Sequence, residues 1–152
     1  MKNALTRPPG GKGILLAIDP GKNSTGIALF GGGELLDVEL AKDPYHVANL
    51  AMNPVDEVIV ELPRAYGPRS PVDPNDLILL GALAGFLVGI TPCNRRWYIH
   101  PQDWKGQMPK EIDNQRTIRH LKDNERQLLG ARPNHNVVDA VGIGLWVLGR
   151  RK

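Results

Sequence analysis

The chain is organised around residues 14–30, Ile-Leu-Leu-Ala-Ile-Asp-Pro-Gly-Lys-Asn-Ser-Thr-Gly-Ile-Ala-Leu-Phe, which place one carboxylate, that of Asp19, at the end of an apolar run. Residues 14–18 are wholly apolar and partly β-branched, a pattern typical of a strand that is buried on both faces. Pro20 and Gly21 favour a tight turn, after which an apolar run resumes, so the stretch predicts a β-hairpin. An aspartate in this position most often caps its turn, and a chemical role would depend on acids elsewhere.

A second acid follows a second buried-strand pattern. After the hairpin, residues 34–40 predict a third antiparallel strand, and residues 43–52 predict a helix. Residues 55–60 are again largely apolar, and this strand ends at Glu61. If it lies parallel to the first strand through a right-handed crossover, Asp19 and Glu61 emerge at the same edge of the sheet. Two carboxylates repel each other there, and such a pair generally needs a proton or a metal ion.

Length and composition indicate one globular domain. The chain has 152 residues, 41% of them hydrophobic, which suffices for a substantial core. We assign this domain to residues 13–152 and interpret residues 1–12 as a flexible basic arm. Lysine and arginine exceed aspartate and glutamate by 19 to 16, and they crowd the loops and the C-terminus. This distribution is compatible with a phosphate-backbone partner, but a net charge of +3 is equally that of an ordinary solvated surface.

Cysteine usage and hydropathy predict the compartment. Cys93 is the only cysteine, which excludes an internal disulfide and a cysteine-based metal cluster and favours a reducing, intracellular setting. The N-terminus lacks the apolar core of a signal peptide. The longest apolar run, residues 77–90, has 14 residues and is too short to span a bilayer. We therefore expect a soluble cytoplasmic protein without a membrane partner.

An apolar helix is predicted to form a dimer interface. Asp73 is suited to the N-cap and Pro74 to the first turn of a helix that ends near Ile90. This helix is apolar on all sides, and one sheet cannot cover its whole circumference. Its glycines recur at intervals of four residues and form a smooth stripe that fits either a sheet or a twofold-related helix: Gly81, Gly85 and Gly89. We expect a homodimer built partly on this helix.

A long connection precedes that helix. Residues 62–74 contain four prolines together with Arg64, Tyr66 and Arg69. A structureless loop of this length is more often functional than idle in a small domain. Arginine beside an exposed tyrosine can hold phosphate and stack on a base, although a proline-stiffened surface loop is an equally good interpretation.

The following region combines a strand, a loop and a helical pattern. Residues 95–100 predict a strand and residues 101–109 a loop that carries Lys105. A helical pattern begins near Lys110, and its expected inward positions are Ile112, Ile118, Leu121 and Leu128. Arg116 belongs to a basic outer face that, beside Lys105 and Lys110, suits the backbone of duplex DNA. Solvated charge is the usual meaning of such a face.

The third acid lies in the last apolar segment. Residues 134–149 predict a helix that carries Asp139 about one turn from its start, with His135 and Asn136 four and three residues earlier on the same surface. An aspartate in an otherwise apolar helix is costly unless it is paired or bound to a metal. Asp139 is therefore a candidate functional residue.

Three motifs in this order make the chain resemble a known family. They are residues 18–28, Ile-Asp-Pro-Gly-Lys-Asn-Ser-Thr-Gly-Ile-Ala; residues 58–61, Val-Ile-Val-Glu; and residues 135–144, His-Asn-Val-Val-Asp-Ala-Val-Gly-Ile-Gly. Their order and spacing resemble those of the RuvC family of Holliday-junction resolvases, and the compact length and C-terminal sequence resemble the phage-encoded branch. The resemblance implies an RNase H-like fold: a five-stranded mixed sheet, flanked by α-helices, that acts as a homodimer on four-way or branched DNA.

The resemblance also implies an active site. The three acids of the family correspond to Asp19, Glu61 and Asp139. Family members typically carry Asp or His at a fourth position, three residues before the last acid, where this chain has Asn136 preceded by His135. Either residue could act as a metal ligand, and His135 could also move a proton. The sequence favours His135, because imidazole changes its protonation near neutral pH and an amide does not.

The implied chemistry is metal-dependent hydrolysis of DNA. Carboxylates suit Mg²⁺, with Mn²⁺ as a substitute, and two ions per site would support in-line cleavage that leaves a 5′-phosphate and a 3′-hydroxyl. A dimer would make paired symmetric nicks, in the host cytoplasm if the protein is phage-encoded. The residues expected to contact DNA are Arg64, Tyr66, Arg69, Lys105, Lys110 and Arg116, with Tyr66 at the junction centre.

Two other functions stay open at this point. One is an RNase H-like nuclease that acts on RNA·DNA hybrid or on other branched DNA. The other is a non-catalytic module that binds junctions, against which the complete set of three acids argues.

Overall fold

The computed structural model describes residues 13–43, 46, 54–65, 67–68 and 70–151. The predicted basic arm (residues 1–12) lies outside the described residues, as do nearly all of the predicted helix at residues 43–52 and both Tyr66 and Arg69.

The core of the molecule is one mixed sheet. Its strands are β1 (Ile14–Asp19), β2 (Thr25–Gly31), β3 (Glu34–Ala41), β4 (Val55–Glu61) and β5 (Cys93–Ile99), in the spatial order β3-β2-β1-β4-β5. The first three strands form an antiparallel meander, whereas β4 lies parallel to β1 and β5 lies parallel to β4. The predicted five-stranded mixed sheet, including the parallel placement of the strand that ends at Glu61, is confirmed.

Five helices are seen within the described residues. They are α1 (Pro74–Ile90), α2 (Pro101–Trp104), α3 (Lys110–Arg119), α4 (Asp123–Leu129) and α5 (His135–Val147). Helix α1 begins as predicted, because the side chain of Asp73 accepts a hydrogen bond from the Asn75 backbone and Pro74 lies in the first turn. Helix α2 was not expected: residues 101–104 form one helical turn in place of loop, with Pro101 at its start.

The predicted inward face of the region after Lys110 is partly wrong. Leu121 is buried and Ile118 packs against the core, but Ile112 and Leu128 are exposed. In α3 the inward positions belong instead to Asp113 and Thr117, which bind an arginine from the C-terminus. The break between α3 and α4 then changes the helix phase, so that Glu125 and Leu129 face inward.

The alternation of side chains along the central strands decides where the first two acids point. Leu15 and Ala17 of β1 pack with α5, whereas Leu16 and Ile18 belong to the core on the opposite face, which includes residues of α1. Because successive side chains of a strand alternate between faces, Asp19 projects toward α5. Strand β4 behaves in the same way: Ile59 is in the α5 core, and Glu61 follows it by two residues. Both carboxylates therefore reach the α5 face of the sheet.

Glycines allow α5 to lie close to the sheet. A Cβ atom on Gly26 of β2 would come within 1.9 Å of the Asn136 backbone oxygen, and one on Gly144 would come within 2.0 Å of the Phe30 ring. Asn134 caps the helix by accepting a hydrogen bond from the Asn136 backbone at 2.9 Å. The start of α5 is thus fixed against the β1–β2 hairpin, which places its second turn beside the end of β1.

Helix α1 covers the other face only in part. Ala84, Leu87 and Val88 are buried against the sheet, whereas Ile78 is 71% exposed and Leu79 is 52% exposed. None of the helices among the described residues is long and apolar enough to cross a membrane.

Candidate active site

Asp19 and Asp139 are buried carboxylates on facing elements. Asp19 is the last residue of β1 and is 6% exposed, and Asp139 lies one turn into α5 and is 5% exposed. Glu61, the last residue of β4, completes the group that we call the acid cluster: Asp19, Glu61 and Asp139. The three residues come from a strand end, a second strand end and a helix, and the parallel pairing of β1 with β4 brings the two strand ends together.

Lys105 is the cation of the acid cluster. Its Nζ atom lies 3.5 Å from Oε2 of Glu61 and 3.4 Å from Oδ2 of Asp139. The same Nζ lies 4.8 Å from the centre of the Trp104 ring. Lys105 directly follows α2, so this unexpected helical turn at the end of β5 directs the ammonium group between the two acids.

Burial, and then repulsion from neighbouring acids, disfavours the ionised forms of Asp19 and Glu61. Burial raises the pKa of Asp19 well above its ordinary value, and the charges of Glu61 and Asp139 raise it further. Burial also raises the pKa of Glu61, against the lowering influence of Lys105 and of the Trp104 hydrogen bond. Burial would lower the pKa of Lys105, but the charges of the three acids outweigh it and raise the pKa. One lysine therefore does not neutralise the cluster.

The other buried acids among the described residues are neutralised differently. Each has an arginine of its own: Glu57 pairs with Arg95, Asp113 with Arg151, and Glu125 with Arg150. Such one-to-one pairing is what allows a carboxylate to be buried for structural reasons. The acid cluster lacks that balance, because Glu61 and Asp139 share Lys105 and Asp19 adds a further carboxylate.

The carboxylates of the acid cluster are suitable ligands for a hard divalent cation, although in this structure they are not arranged around a metal site. Within the described part of the chain, no group of three or more His, Cys, Asp or Glu side chains is arranged to hold a metal ion. The ammonium of Lys105 lies among the acids instead. Carboxylate oxygens with an excess of negative charge are nevertheless the ligands that Mg²⁺ and Mn²⁺ prefer.

Asn136 and His135, the two candidates for the fourth position, differ in environment. The Asn136 side-chain nitrogen donates to the backbone oxygen of Ser24 at 2.9 Å and to its hydroxyl at 3.4 Å. A Cβ on Gly21 would come within 2.4 Å of that nitrogen, so the turn after Asp19 packs directly on this amide. His135 is exposed at the start of α5. The geometry thus favours Asn136, whereas the sequence favours His135.

The residues expected to contact DNA are not all in one place. Lys105 lies inside the acid cluster, and the exposed Lys110 is near enough for its charge to lower the pKa of Asp19. Arg64 is exposed and donates to Gln102. Arg116 is half-buried and lines a groove of about 430 Å³ whose other walls include Trp104, Lys105, Met108 and Trp146. Tyr66 and Arg69 lie outside the described residues.

Two residues near the site were not among the candidates that the sequence analysis named. Trp104 donates its indole N–H to Oε2 of Glu61 at 2.7 Å, and the guanidinium of Arg151 lies 4.9 Å from the centre of the same ring. In the sequence Arg151 belongs to a basic C-terminus that is compatible with a phosphate partner or with a solvated surface, but in the structure it is fully buried and paired with Asp113. The only sequence signal that could have found Trp104 is its place beside Lys105, directly after a strand.

Two solved structures resemble this one over most of their length. The structure of T. thermophilus RuvC in complex with a Holliday junction substrate matches with a TM-score of 0.56 and 18% identity, over 91% of this chain and 98% of that one. A structure of Thermus thermophilus RuvC matches with a TM-score of 0.50, the same identity and the same coverage. No protein-family model matches the chain, and no curated protein matches it by sequence. The similarity confirms the predicted fold class: a five-stranded mixed sheet flanked by α-helices, arranged as in RuvC.

Proposed function

We propose that this protein is a metal-dependent endonuclease that cuts four-way DNA junctions. The observation that carries the proposal is the acid cluster: three carboxylates from β1, β4 and α5 converge, and among the described residues Lys105 is the cation that pairs with them. Structural acids in this chain have arginine partners, so the unbalanced charge of the cluster calls for another cation. The similarity of the fold to a RuvC that has been solved with a Holliday junction supports DNA junctions as the substrate.

In this proposal the acid cluster binds Mg²⁺, or Mn²⁺ as a substitute, with two ions per site. The chemistry that bound ions supply is activation of water and stabilisation of the departing 3′ oxygen, which leaves a 5′-phosphate and a 3′-hydroxyl. Asn136 takes the fourth position, because its amide nitrogen holds the turn after Asp19 while its carbonyl oxygen remains a suitable ligand. Lys105 and Lys110 hold the phosphate that is cut and its neighbour.

The proposal includes a homodimer that makes paired symmetric nicks. Among the described residues, a Cβ on Gly81, Gly85 or Gly89 would meet nothing within 4 Å, so the glycine stripe of α1 does not pack on the sheet there. This supports a twofold-related copy of α1 as its packing partner. Such a copy would also cover the exposed Ile78 and Leu79. Two sites related by such an axis would act on opposite strands of a junction.

A nuclease for RNA·DNA hybrid is the alternative that the same acids permit, since the metal chemistry is common to the RNase H-like class. Substrate choice separates the two. End-labelled four-way junction, linear duplex and linear RNA·DNA hybrid should each be incubated with Mg²⁺ or Mn²⁺, and the cut positions mapped on all strands. We expect symmetric cuts in the junction alone. Equal or faster cutting of the linear hybrid would overturn the junction assignment.

Asp19→Asn tests the role of the acid cluster. The change removes one ligand charge, and we expect the cutting rate to fall by at least about 100-fold. Junction binding, measured in Ca²⁺ or EDTA by mobility shift, should be retained or tightened, because one repulsive charge near the DNA is gone. Asp37→Asn on the exposed part of β3 is the matched control and should cut like the parent protein. Undiminished cutting by Asp19→Asn would count against the proposed site.

A further inference from the structure

Trp104 links the acid cluster to the interior of the protein. It is the last residue of α2 and is almost fully buried. Its indole N–H and the ammonium of Lys105 both approach the same oxygen of Glu61, Oε2, at 2.7 Å and 3.5 Å. Neither of these two donors engages Oε1. A hydrogen bond from a buried, rigid ring therefore fixes the rotation of the Glu61 carboxylate and leaves the other oxygen to meet a cation.

Arg151 supports the same ring from the interior. Its guanidinium lies 4.9 Å from the centre of the Trp104 ring, within the range of a cation–π contact. The same group pairs with Asp113 and donates to the hydroxyl of Thr117, both on α3. A Cβ on Gly142 of α5 would collide with Trp104 and with Arg151, so the helix is also closed against this pair. The indole consequently has little freedom to rotate away from Glu61.

We infer that Trp104 and Arg151 are positioning residues of the active site: the indole orients the Glu61 carboxylate, and the arginine holds the indole. This inference rests on the proposed nuclease function of the acid cluster. Groups that orient a metal-binding side chain typically affect metal affinity or activity by about 10–100-fold when they are removed. Through its contact with Trp104, Arg151 would therefore influence the rate of cleavage.

A second tryptophan–glutamate pair on β4 and β5 provides a control for the Trp104–Glu61 pair. Trp97 donates its indole N–H to Oε2 of Glu57 at 3.0 Å, and Glu57 precedes Glu61 by four residues on the same face of the strand. Glu57, however, is paired with Arg95, and four residues of strand separate it from Glu61 by about 13 Å. Trp97→Phe and Trp104→Phe thus delete the same donor from the same kind of partner, one at a structural acid and one at the proposed site.

The test compares Trp104→Phe with Trp97→Phe in the full-length protein. For each we would measure kcat for junction cutting, the Kd for junction in EDTA, the Kd for Mn²⁺ by calorimetry, and the Tm. We expect Trp104→Phe to lower kcat and weaken Mn²⁺ binding by about 10-fold or more while leaving the junction Kd unchanged. Trp97→Phe should leave kcat and the Mn²⁺ affinity unchanged. Equal losses in both variants, or none in Trp104→Phe, would overturn the inference.

Arg151→Lys tests the second link without leaving Asp113 as an unpaired buried charge. Lysine keeps the ion pair but lacks the planar guanidinium against the indole, so we expect a smaller loss of kcat than in Trp104→Phe. If the arginine acts through the ring, the double variant should be no slower than Trp104→Phe alone. Additive losses would overturn this link.

The metal readout separates the inference from the proposed function. If the parent protein cuts no junction but Trp104→Phe still weakens Mn²⁺ binding relative to Trp97→Phe, the function fails and the positioning role stands. If the parent protein cuts junctions and Trp104→Phe cuts equally well, the positioning role fails alone. A parent protein that binds no Mn²⁺ would overturn both.

Discussion

At the scale of single residues, a dedicated arginine distinguishes the buried acids that stabilise the fold from the three acids that we propose to bind a metal ion. Burying a carboxylate is costly unless a cation is dedicated to it, and Glu125 meets that condition through Arg150. Asp19 does not, because its nearest charged influences include two further acids that raise its pKa. A protein retains such an arrangement where another cation is expected to complete it.

Substitutions of Asn136 and His135 test which of the two fills the fourth position of the proposed active site. We expect Asn136→Ala to lower kcat by about 10-fold or more, because it removes both the proposed ligand oxygen and the amide that holds the Ser24 turn beside Asp19. His135→Ala should leave kcat within about twofold, since the exposed His135 lies outside that contact. Rates on four-way junction, with thermal unfolding to confirm folding, measure both. A large loss in His135→Ala together with none in Asn136→Ala would restore the assignment that the sequence favours.

At the scale of elements, Arg150 and Arg151, which follow α5, form what we call the C-terminal clamp: they bind other elements of the fold instead of projecting into solvent as a basic tail. Arg150 donates to both oxygens of Glu125 at 2.6 Å and to the backbone oxygen of Gly33 at 3.1 Å, which ties the C-terminus to α4 and to the β2–β3 turn. The Leu35 and Lys122 backbones donate to the same carboxylate at 2.8 Å. Arg151 makes the corresponding tie to α3.

This clamp predicts a specific sensitivity to acid. Burial of Glu125 opposes its ionisation, but the hydrogen bonds from Arg150 and from the two backbones outweigh burial and lower the pKa from 4.5 to about 2. A lowered carboxyl pKa stabilises the fold above the unfolded-state pKa, and that contribution disappears as the pH falls from about 4.5 toward 2. We expect up to about 3 kcal/mol of unfolding free energy to be lost in that window.

Urea unfolding of the parent protein and of Glu125→Gln between pH 6 and pH 2.5 measures this contribution. Because all other acids titrate in both proteins, their effect cancels in the difference between the two unfolding free energies. The variant should be less stable than the parent near neutral pH, and the difference should shrink as the pH falls. Parallel stability curves for the two proteins would refute the expectation.

At the scale of the whole molecule, α1 carries an apolar surface that remains exposed in a single copy of the protein. An apolar helix with only Ala84, Leu87 and Val88 buried is a poor solvent-facing element, and its outward glycine stripe permits a close helix–helix approach. We expect the protein to be a dimer at micromolar concentration in analytical ultracentrifugation. Ile78→Glu, which places a charge within the proposed interface, should yield a monomer.

Leu36→Glu is the matched control for the dimer. Like Ile78, Leu36 is an exposed aliphatic side chain, but it lies on the edge strand β3 rather than on α1. A glutamate at position 36 should therefore leave the dimer intact. A parent protein that sediments as a monomer, or an Ile78→Glu variant that remains dimeric, would contradict the proposed interface.

Most of the sheet could be predicted because its signals are local. The apolar run before Asp19, the turn at Pro20 and the N-cap at Asp73 each act within a few residues, and the structure has β1, β2 and α1 where these signals indicate. The errors arose where distant contacts override local pattern. Ile112 is exposed although its spacing favours the core, because Asp113 turns inward to meet Arg151.

The sequence by itself determined the strand ends that carry Asp19 and Glu61 and the apolar helix that carries Asp139, since periodicity and turn chemistry are short-range properties. The mixed order of the sheet was expected from the family resemblance, because strand order is not a local property. Tertiary structure alone decided that Lys105 lies among the three acids, that the Trp104 indole donates to Glu61, and that the buried Arg151 packs against that indole. These contacts join residues 34 to 47 positions apart. No local pattern encodes which cation reaches which acid, because that depends on how β5, α2 and the C-terminus pack together.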